Sequence, residues 1–447
     1  MTGARRWAPV ADDRLAVLLY GEVVGHLVRL ADDVVGFEYD AGYALDAEST
    51  PLSLSLPLLR REQSPEAVKN WVEGLRPDRD TLREVWAQSV GLPPGAPVFD
   101  WLAGPLGLDC AGAVQFADPD DPAAAIDRAA GDEPLSKAQI GRWLVELLDA
   151  ANRPRQVSTV TAGTFSISGA QAKIALRNVG DGWSLPSGPL PTTHLLKPSI
   201  PDFPGQAVVE HLCMAAGAAV GLPTANTSVV SFGNVDVVVV ERFDRTDGPD
   251  GSAKTVRVHF EDMCQALGVS ADRKYQWQRG PSPEDIAALL TDNATEPLDA
   301  VRSFAEMLAY NFVVLGTDAH AKNFGVLLVR TQVGLAPMYD VCSAVPWFDD
   351  QSELGFPMLI GDAPDHRSVH AETPVAWATC GERMGVDGSA LALRVGEIAA
   401  AVPDALAAEA AKLPDRLAGT REVERLLEVL GKRCRRLADV FSVPASA

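Results

Sequence analysis

The stretch TDAHAKNF, Thr317 to Phe324, places an acid, an imidazole, an ammonium and a carboxamide within six residues. It follows SFAEMLAYNFVVLG, whose apolar periodicity predicts a buried helix. Three interpretations are open for such a stretch: a catalytic loop, a metal site, or a polar turn in which Asp318 and Asn323 satisfy local backbone groups. Each interpretation requires different partners elsewhere in the chain.

Asp318 and Asn323 have the D-x-x-x-x-N spacing of a protein-kinase catalytic loop, where the Asp accepts a hydroxyl proton and the Asn binds magnesium. The spacing is common, and on its own a polar turn is the simpler interpretation. A zinc site made of Asp318, His320 and Asp340 would lack a second imidazole.

Asp340 lies 17 residues beyond Asn323, in LAPMYDVCSA. GVLLV and LAPMY predict a hairpin that delivers Asp340 to the same end of the lobe as Asp318. Magnesium prefers one or two carboxylates together with phosphate oxygens and water. Asn323 and Asp340 are therefore the predicted metal ligands, with a strand end and an Asx turn as the structural alternative for Asp340.

A loop and a strand upstream have features that suit phosphate binding. SISGAQAK, Ser166 to Lys173, has small residues and a terminal lysine, which allow backbone N–H groups to approach phosphate oxygens. It is not a Walker A loop, and a plain hairpin turn is the alternative. Lys197 in THLLKP follows two leucines near a strand end, and Glu210 lies on the next predicted helix, where it could pair with a lysine. A surface lysine and a solvated glutamate are the alternative for that pair.

The segment VDVVVVERFDR predicts a buried strand that ends at Glu241, Arg242 and Phe243. A hinge at these residues would offer backbone groups to an adenine edge, with an aromatic ring beside the base. A strand end with a capping acid is the structural alternative.

Composition limits the class of protein. A chain of 447 residues predicts two or three domains, and 47% apolar with 22% charged residues is typical of a globular protein. We expect neither a membrane-spanning helix nor a signal peptide. The six scattered cysteines predict reduced, mostly buried thiols in a cytoplasmic protein. The net charge of −21 disfavours unaided binding to nucleic acid.

The order of predicted elements gives the fold class. Alternating apolar residues around Tyr20-Gly21-Glu22 predict a hairpin, FEYD and SLSLPL predict short strands, and two helices follow. A strand-rich stretch with one prominent helix comes next, and the chain beyond Asp244 is mainly helical. We predict an α+β fold with three parts: residues 1–125, residues 126–243 with the loop and hinge, and a helical lobe of residues 244–447 with the catalytic loop.

Taken together, the motifs resemble those of the HipA-type serine/threonine kinases, toxins of type II toxin–antitoxin systems. The resemblance rests on SISGAQAK, PTTHLLKP, VVERFDR, HFEDMCQALG with KYQ beyond it, and GTDAHAKNF followed by LAPMYDVCSA. PLSLSLPL and DCAGAVQF extend it into the N-terminal part. The family's fold is a two-lobed, kinase-like one preceded by a mixed N-terminal subdomain.

The resemblance implies a role for each matching residue. Asp318 matches the catalytic aspartate, Asn323 and Asp340 the magnesium ligands, and Ser166 an autophosphorylated serine, with Ser168 as a nearby alternative. The implied ATP contacts are Ser168, Gly169, Ala170, Gln171, Lys173, Lys197, Glu241, Arg242 and Phe243. Lys322 is added as a phosphate contact or a structural residue, and His320 as a scaffold of the loop. Ala172 and Ala319 depart from the family pattern without removing these chemical groups.

The implied function is that of an ATP- and magnesium-dependent, non-specific serine/threonine protein kinase that arrests growth and supports persistence. Within the family a known kind of target is a translation component, an aminoacyl-tRNA synthetase. The usual partner is a small HipB-like helix-turn-helix antitoxin, through which contact with DNA would be mainly indirect. Two alternatives remain open: an ATP-binding regulatory partner of a repressor without phosphotransfer, and a small-molecule phosphotransferase.

Overall fold

The computed structural model describes residues 13–30, 34–127, 130–152, 166–180, 182–248, 255–352 and 354–442. The chain divides into two compact units. The first comprises Met1–Leu195, Asp244–Glu261 and Leu328–Thr331, and the second comprises Leu196–Phe243, Asp262–Leu327 and Gln332–Ala447. The division into residues 1–125, 126–243 and 244–447 stays a prediction.

The strands and helices are numbered in chain order. The strands are β1 Arg14–Leu19, β2 Glu22–Arg29, β3 Val35–Tyr39, β4 Val114–Ala117, β5 Gly131–Leu135, β6 Ile174–Val179, β7 Gly182–Ser187, β8 His194–Pro198, β9 Thr227–Phe232, β10 Val235–Glu241, β11 Arg245–Asp247, β12 Thr255–Arg257, β13 His259–Asp262, β14 Gly325–Val329 and β15 Gln332–Leu335. The helices are α1 Ala41–Leu45, α2 Pro65–Glu73, α3 Asp80–Ser89, α4 Val98–Ala103, α5 Ala124–Asp127, α6 Lys137–Asn152, α7 Gln206–Ala219, α8 Met263–Ala266, α9 Pro283–Asn293, α10 Pro297–Val314, α11 Pro374–Met384, α12 Gly388–Ala410, α13 Asp415–Ala418 and α14 Arg421–Phe441.

The first unit begins with an antiparallel sheet in the order β3-β2-β1-β4. The predicted hairpin is confirmed: β1 and β2 pair around a turn in which Tyr20 and Gly21 both have positive φ. In β1 the whole run Leu15 to Leu19 is buried, in β2 Val24, Gly25 and Leu27 are buried, and α2 packs against β3. Further along the chain, β5, β7 and β6 pair in antiparallel fashion.

The predicted strand in SLSLPL is wrong. Ser53 and Leu56 form an isolated bridge across a tight turn, with Leu56 N–H donating to Ser53 C=O at 3.0 Å. The turn is stabilised by Glu261, whose carboxylate accepts from the Ser53 hydroxyl at 2.5 Å and from Leu54 N–H at 2.8 Å. A side chain distant in sequence therefore replaces the strand partner that the alternating pattern suggested.

The second unit contains the β9–β10 hairpin and most of the helices. Val237 to Val240 are buried, as their continuous apolar sequence predicted. The long helix α12 packs against α7, α10, α11 and α14. Among the described residues, no helix is both long and apolar enough to cross a bilayer.

The hairpin that follows the Asp318 loop forms, but its second arm lies earlier in the chain than predicted, since only Leu335 of LAPMY belongs to it. Its strands are β14 and β15, and the second ends at Leu335. Beyond this strand, the backbone of Met338 pairs with that of Pro223 and Ala225. Met338 N–H donates to Pro223 C=O at 2.8 Å, and Ala225 N–H donates to Met338 C=O at 2.9 Å. This pairing fixes the backbone two residues before Asp340.

The cysteines are free thiols, as predicted. Cys110, Cys213, Cys264, Cys380 and Cys434 are buried, and Cys342 is half-buried. Burial raises the pKa of Cys213 and of Cys434 to about 12. These thiols are therefore structural groups of the core.

Candidate active site

The loop that carries Asp318 starts where α10 ends. Leu315 adopts a left-handed conformation with φ of 54°, and Gly316 N–H donates to Asn311 C=O at 2.8 Å. A Cβ on Gly316 would lie 2.5 Å from Asn311 Oδ1, so a larger residue here would force the Asn311 side chain to shift. The helix end therefore turns the chain sharply into the loop.

Asp318 and Asn323 form a closed turn. Asn323 Nδ2 donates to Asp318 C=O at 2.7 Å, and Asn323 N–H donates to His320 C=O at 2.8 Å. The carboxylate of Asp318 is 64% exposed, and its Oδ1 accepts from the Tyr275 hydroxyl at 2.8 Å. The spacing between Asp318 and Asn323 thus corresponds to one hydrogen-bonded turn that presents a carboxylate to solvent.

His320 and Lys322 are buried beneath this turn. His320 Nε2 lies 3.6 Å from Asp318 Oδ1. Lys322 Nζ donates to Asp262 Oδ2 at 2.8 Å, and both side chains are buried. The role of Lys322 as a phosphate contact stays a prediction, and this ion pair favours the structural alternative.

Lys197, the lysine of strand β8, contacts both the helix glutamate and the proposed metal ligand. Its ammonium lies 2.8 Å from Glu210 Oε1 and 2.7 Å from Asp340 Oδ1. Burial by itself lowers the pKa of Lys197, but the Asp340 and Glu210 carboxylates outweigh burial and raise the pKa above its usual value. The lysine is therefore a permanent cation beside Asp340.

Asp340 has a left-handed backbone with φ of 61°, which is uncommon for a residue other than glycine. The preceding Tyr339 donates its hydroxyl to Lys322 C=O at 2.8 Å. That bond ties the Asp340 segment to the turn that contains Asn323. Strain of this kind at a carboxylate that meets a lysine is typical of a functional site.

The predicted hinge lies next to Tyr339. The rings of Phe243 and Tyr339 are 5.4 Å apart and tilted by 34°. Glu241 N–H donates to Asn226 C=O at 2.9 Å, while its exposed carboxylate accepts from Asn226 Nδ2 at 3.0 Å. Arg242 is buried. An aromatic pair therefore lies beside the predicted hinge, and the role of this segment as an adenine contact stays a prediction.

The Ser166 loop belongs to the first unit. Ser166 is 0% exposed: its hydroxyl donates to Leu75 C=O at 2.8 Å and accepts from Trp101 Nε1 at 2.9 Å, and its N–H donates to Asp109 C=O at 2.9 Å. Lys173 Nζ donates to Ser168 C=O at 2.6 Å. These bonds hold the loop through its backbone and through the hydroxyl of Ser166.

Gly169, Ala170 and Gln171 follow Ser168 in that loop. Gly169 has φ of 114°, a conformation that favours glycine, and a Cβ there would lie 2.5 Å from Lys173 Nζ. Ala170 is exposed, and Gly169 and Gln171 are half-buried. The ATP-contact role of these residues stays a prediction.

The donor groups of the second unit fit a magnesium nucleotide. Asp340 offers a carboxylate, Asn323 an amide carbonyl and Lys197 an ammonium, and hard oxygen donors are those that magnesium prefers. No three His, Cys, Asp or Glu side chains come together as a metal site among the described residues. The remaining ligands would have to come from phosphate oxygens and water.

Sequence reasoning missed three supporting residues. Tyr275 contacts Asp318, and Asp262 and Tyr339 both contact Lys322. Asp262 begins a D-x-x-Q capping box, which predicts a helix start but not a lysine partner. Tyr275 lies in the KYQ motif, which carries no chemical signature of its own.

Comparisons with known proteins agree with this architecture. A family model described as the HipA-like C-terminal domain matches residues 165–406, and one described as the HipA N-terminal domain matches residues 15–117. The Sinorhizobium fredii protein Y4mE is 31% identical over 388 residues, covering 87% of this chain and 89% of the relative. The serine/threonine-protein kinase toxin HipA of Shewanella oneidensis is 26% identical, covering 86% of this chain and 87% of the relative.

A solved structure shows the fold. The structure of Shewanella oneidensis HipA with HipB and its operator DNA matches with a TM-score of 0.79 at 23% identity, covering 96% of this chain and all of that one. The fold is thus α+β and kinase-like, with a β-rich lobe and a helical lobe preceded by a mixed N-terminal part, as predicted. This fold places the protein in the kinase-like class. The chain belongs to the HipA family, as its motifs indicated.

Proposed function

We propose that this protein is an ATP- and magnesium-dependent serine/threonine protein kinase that acts as a HipA-type toxin. The observation that carries the proposal is the contact of Lys197 with both Glu210 and Asp340, close to a turn that presents Asp318. A strand lysine, a helix glutamate, a metal-binding aspartate and a D-x-x-x-x-N turn are the parts from which kinases are built. Its relative in Shewanella oneidensis bears the name of such a kinase.

The residues of this chain would act by orientation and charge. When bound, ATP supplies the phosphoryl group and magnesium neutralises charge on its oxygens. Asn323 and Asp340 would hold the metal, and Lys197 would hold the phosphates. Asp318 would orient the acceptor hydroxyl and accept its proton, because its exposed carboxylate can be reached by a substrate.

Ser166 is the proposed site of autophosphorylation. Because its hydroxyl is buried and hydrogen-bonded, the loop must open before Ser166 can accept a phosphoryl group. A phosphate adds a charge of about −1.5 to −2, which could not return to a buried position facing the Leu75 carbonyl. Modification would therefore keep the loop out of its observed position.

The remaining parts of the proposal concern target and partner. We propose that a translation component of the aminoacyl-tRNA synthetase kind is the target, so that the kinase arrests growth and promotes persistence. We propose a HipB-like helix-turn-helix antitoxin as the partner, because the Shewanella oneidensis structure contains HipA, HipB and operator DNA. The net charge of −21 makes contact with DNA through that partner more favourable than direct contact.

Phosphotransfer with labelled ATP and magnesium tests the proposal. Wild-type protein should label itself at Ser166, as located by mass spectrometry, and Asp318→Asn should lower that rate about 10²- to 10⁴-fold because it removes the proton acceptor. Lys197→Met should weaken binding of a non-hydrolysable ATP analogue about tenfold or more, through loss of the phosphate cation.

Controls separate the kinase from the alternatives. Arg302→Gln changes an exposed residue of α10 and should leave both readouts unchanged. Equal labelling by wild type and Asp318→Asn would contradict the kinase assignment. Binding of the analogue without any turnover would support a regulatory ATP-binding partner instead, and transfer to small molecules alone would support a small-molecule phosphotransferase.

A further inference from the structure

Tyr275 makes a direct contact with the proposed catalytic carboxylate. Its hydroxyl donates to Asp318 Oδ1 at 2.8 Å. An aspartate that is 64% exposed has freedom to rotate about its side-chain torsions, and a fixed donor on one oxygen restricts that rotation. The position of Oδ1 also determines where Oδ2 lies.

The ring of Tyr275 is held on several sides. Trp277 stacks on it at 4.5 Å with an interplanar angle of 16°, and His320 meets it edge-on at 5.0 Å and 82°. Lys274 Nζ lies 5.5 Å from the ring centroid. Aromatic pairs in these geometries contribute beyond their buried area, so the hydroxyl has a defined position.

The backbone around Tyr275 is fixed as well. Its carbonyl accepts from Gly280 N–H at 3.0 Å, and Gln276 N–H donates to Pro357 C=O at 3.0 Å. A Cβ on Gly280 would lie 2.0 Å from Arg273 C=O, so this tight turn requires glycine.

The same segment is tied to the catalytic loop. Ala321 N–H donates to Lys274 C=O at 3.2 Å, across the backbone next to Tyr275. The hydroxyl of Tyr275 and the carboxylate of Asp318 are thus held by one connected set of hydrogen bonds. A displacement of either would strain the other.

We propose that Tyr275 is a positioning residue for phosphotransfer, which orients the Asp318 carboxylate toward the acceptor hydroxyl. The inference rests on the proposed kinase function. Misplacing a catalytic group by about 1 Å can cost on the order of 10²-fold in rate. Tyr275→Phe, which retains the ring and removes the hydroxyl, should therefore lower kcat about 10- to 100-fold and change KM for ATP less than about twofold.

A double-mutant cycle tests this role. Labelling rates are measured for wild type, Tyr275→Phe, Asp318→Ala and the double variant, all as full-length protein. If Tyr275 acts through Asp318, Tyr275→Phe should lower the rate in the wild-type background and have no further effect in the Asp318→Ala background. A merely structural role would lower the rate equally in both backgrounds and would overturn the inference.

A matched variant completes the experiment. Tyr43→Phe removes a buried hydroxyl that donates to Thr50 C=O at 2.7 Å and should leave kcat unchanged. If Asp318→Ala loses activity while Tyr275→Phe keeps the wild-type kcat, the inference fails and the kinase function stands. If Asp318→Ala keeps full activity, both fail together.

Discussion

The Ser166 loop and the Asp318 loop place their reactive oxygens in opposite environments. The Ser166 hydroxyl is 0% exposed and fully hydrogen-bonded, whereas the Asp318 carboxylate is 64% exposed. Around Asp318 it is the supporting side chains, His320, Lys322 and Asn323, that are buried. The proposed catalytic carboxylate is thus exposed above buried neighbours, whereas the hydroxyl proposed for autophosphorylation stays buried until its loop moves.

The two loops also differ in the interactions that stabilise them. The Asp318 loop rests on a buried ion pair between Lys322 and Asp262. Ser166 is held by hydrogen bonds with neutral partners, each contributing roughly 0.5–1.5 kcal/mol. We therefore expect the Ser166 loop to open at a smaller free-energy cost than the Asp318 loop.

The largest effect on stability should come from breaking the ion pair. Lys322→Met leaves the Asp262 carboxylate buried without its cation, which should lower the free energy of unfolding by about 3–5 kcal/mol. Urea unfolding followed by circular dichroism measures this. Adding Asp262→Asn should recover part of the loss.

An exposed lysine provides the control for that substitution. Lys432→Met removes a surface pair with Glu428 and should leave the urea midpoint unchanged. If Lys322→Met kept wild-type stability but weakened binding of an ATP analogue, Lys322 would be a phosphate contact and the contrast between the loops would be weaker.

A smaller effect should follow from pH in the region that supports Ser166. Burial lowers the pKa of His259 to about 4, from 6.5. Its Nε2 donates to Leu52 C=O at 2.9 Å, and Nδ1 accepts from Ala113 N–H at 3.5 Å, close to the Cys110 bridge with Ser166. The folded state therefore requires a neutral ring at this position.

The sign of the effect follows from where each state binds the proton. Between pH 6.5 and 4 the unfolded chain is protonated at His259 and the folded chain is not. The neutral His259 therefore contributes its full share to the free energy of unfolding above pH 6.5, and this contribution is lost as pH falls. The loss approaches about 3 kcal/mol near pH 4. Urea midpoints of wild type and His259→Gln, compared from pH 7.5 to 4.5, should converge as pH falls. A constant difference across that range would count against a neutral histidine.

The smallest effect should come from loosening the Ser166 loop. Trp101→Phe removes the indole N–H that donates to the Ser166 hydroxyl, a loss of about 1 kcal/mol that should raise the open population about fivefold. Phosphorylation of Ser166, followed by mass spectrometry over time, should accelerate by a similar factor.

A buried tryptophan of the second unit is the matched control. Trp377 is also buried and donates to Ala371 C=O at 3.0 Å, so Trp377→Phe loses a comparable bond without touching Ser166. It should not accelerate labelling. Equal acceleration by both variants would show that general destabilisation, and not the bond to Ser166, controls access.

Much of the candidate site could be predicted because its members are chemically distinctive. A lysine at the end of an apolar strand, an aspartate after a buried helix and an asparagine at fixed spacing each have a limited set of roles. Lys197, Asp340 and the Asp318–Asn323 turn lie together in the second unit. Their roles in binding and catalysis stay predictions.

The errors arose where local pattern competed with distant partners. The alternation in SLSLPL is typical of a strand, but Glu261 captures the Ser53 hydroxyl and the Leu54 N–H and stabilises a turn. Likewise LAPMY was predicted as the second arm of a hairpin with GVLLV, yet Met338 pairs with the segment around Pro223. Neither Glu261 nor the Pro223 segment is indicated as a partner by any periodic pattern in the sequence.

The sequence by itself determined the HipA family, the helical and strand-forming segments, and the identity of the charged residues at the site, because side-chain chemistry and spacing are written in it. Only the tertiary structure decided which polar groups pair with each other: Lys322 with Asp262, Lys197 with two carboxylates, Tyr275 with Asp318, and the Ser166 hydroxyl with Trp101 and Leu75. The reason is that burial and pairing depend on contacts between residues far apart in the chain, and these exist only once the chain is folded.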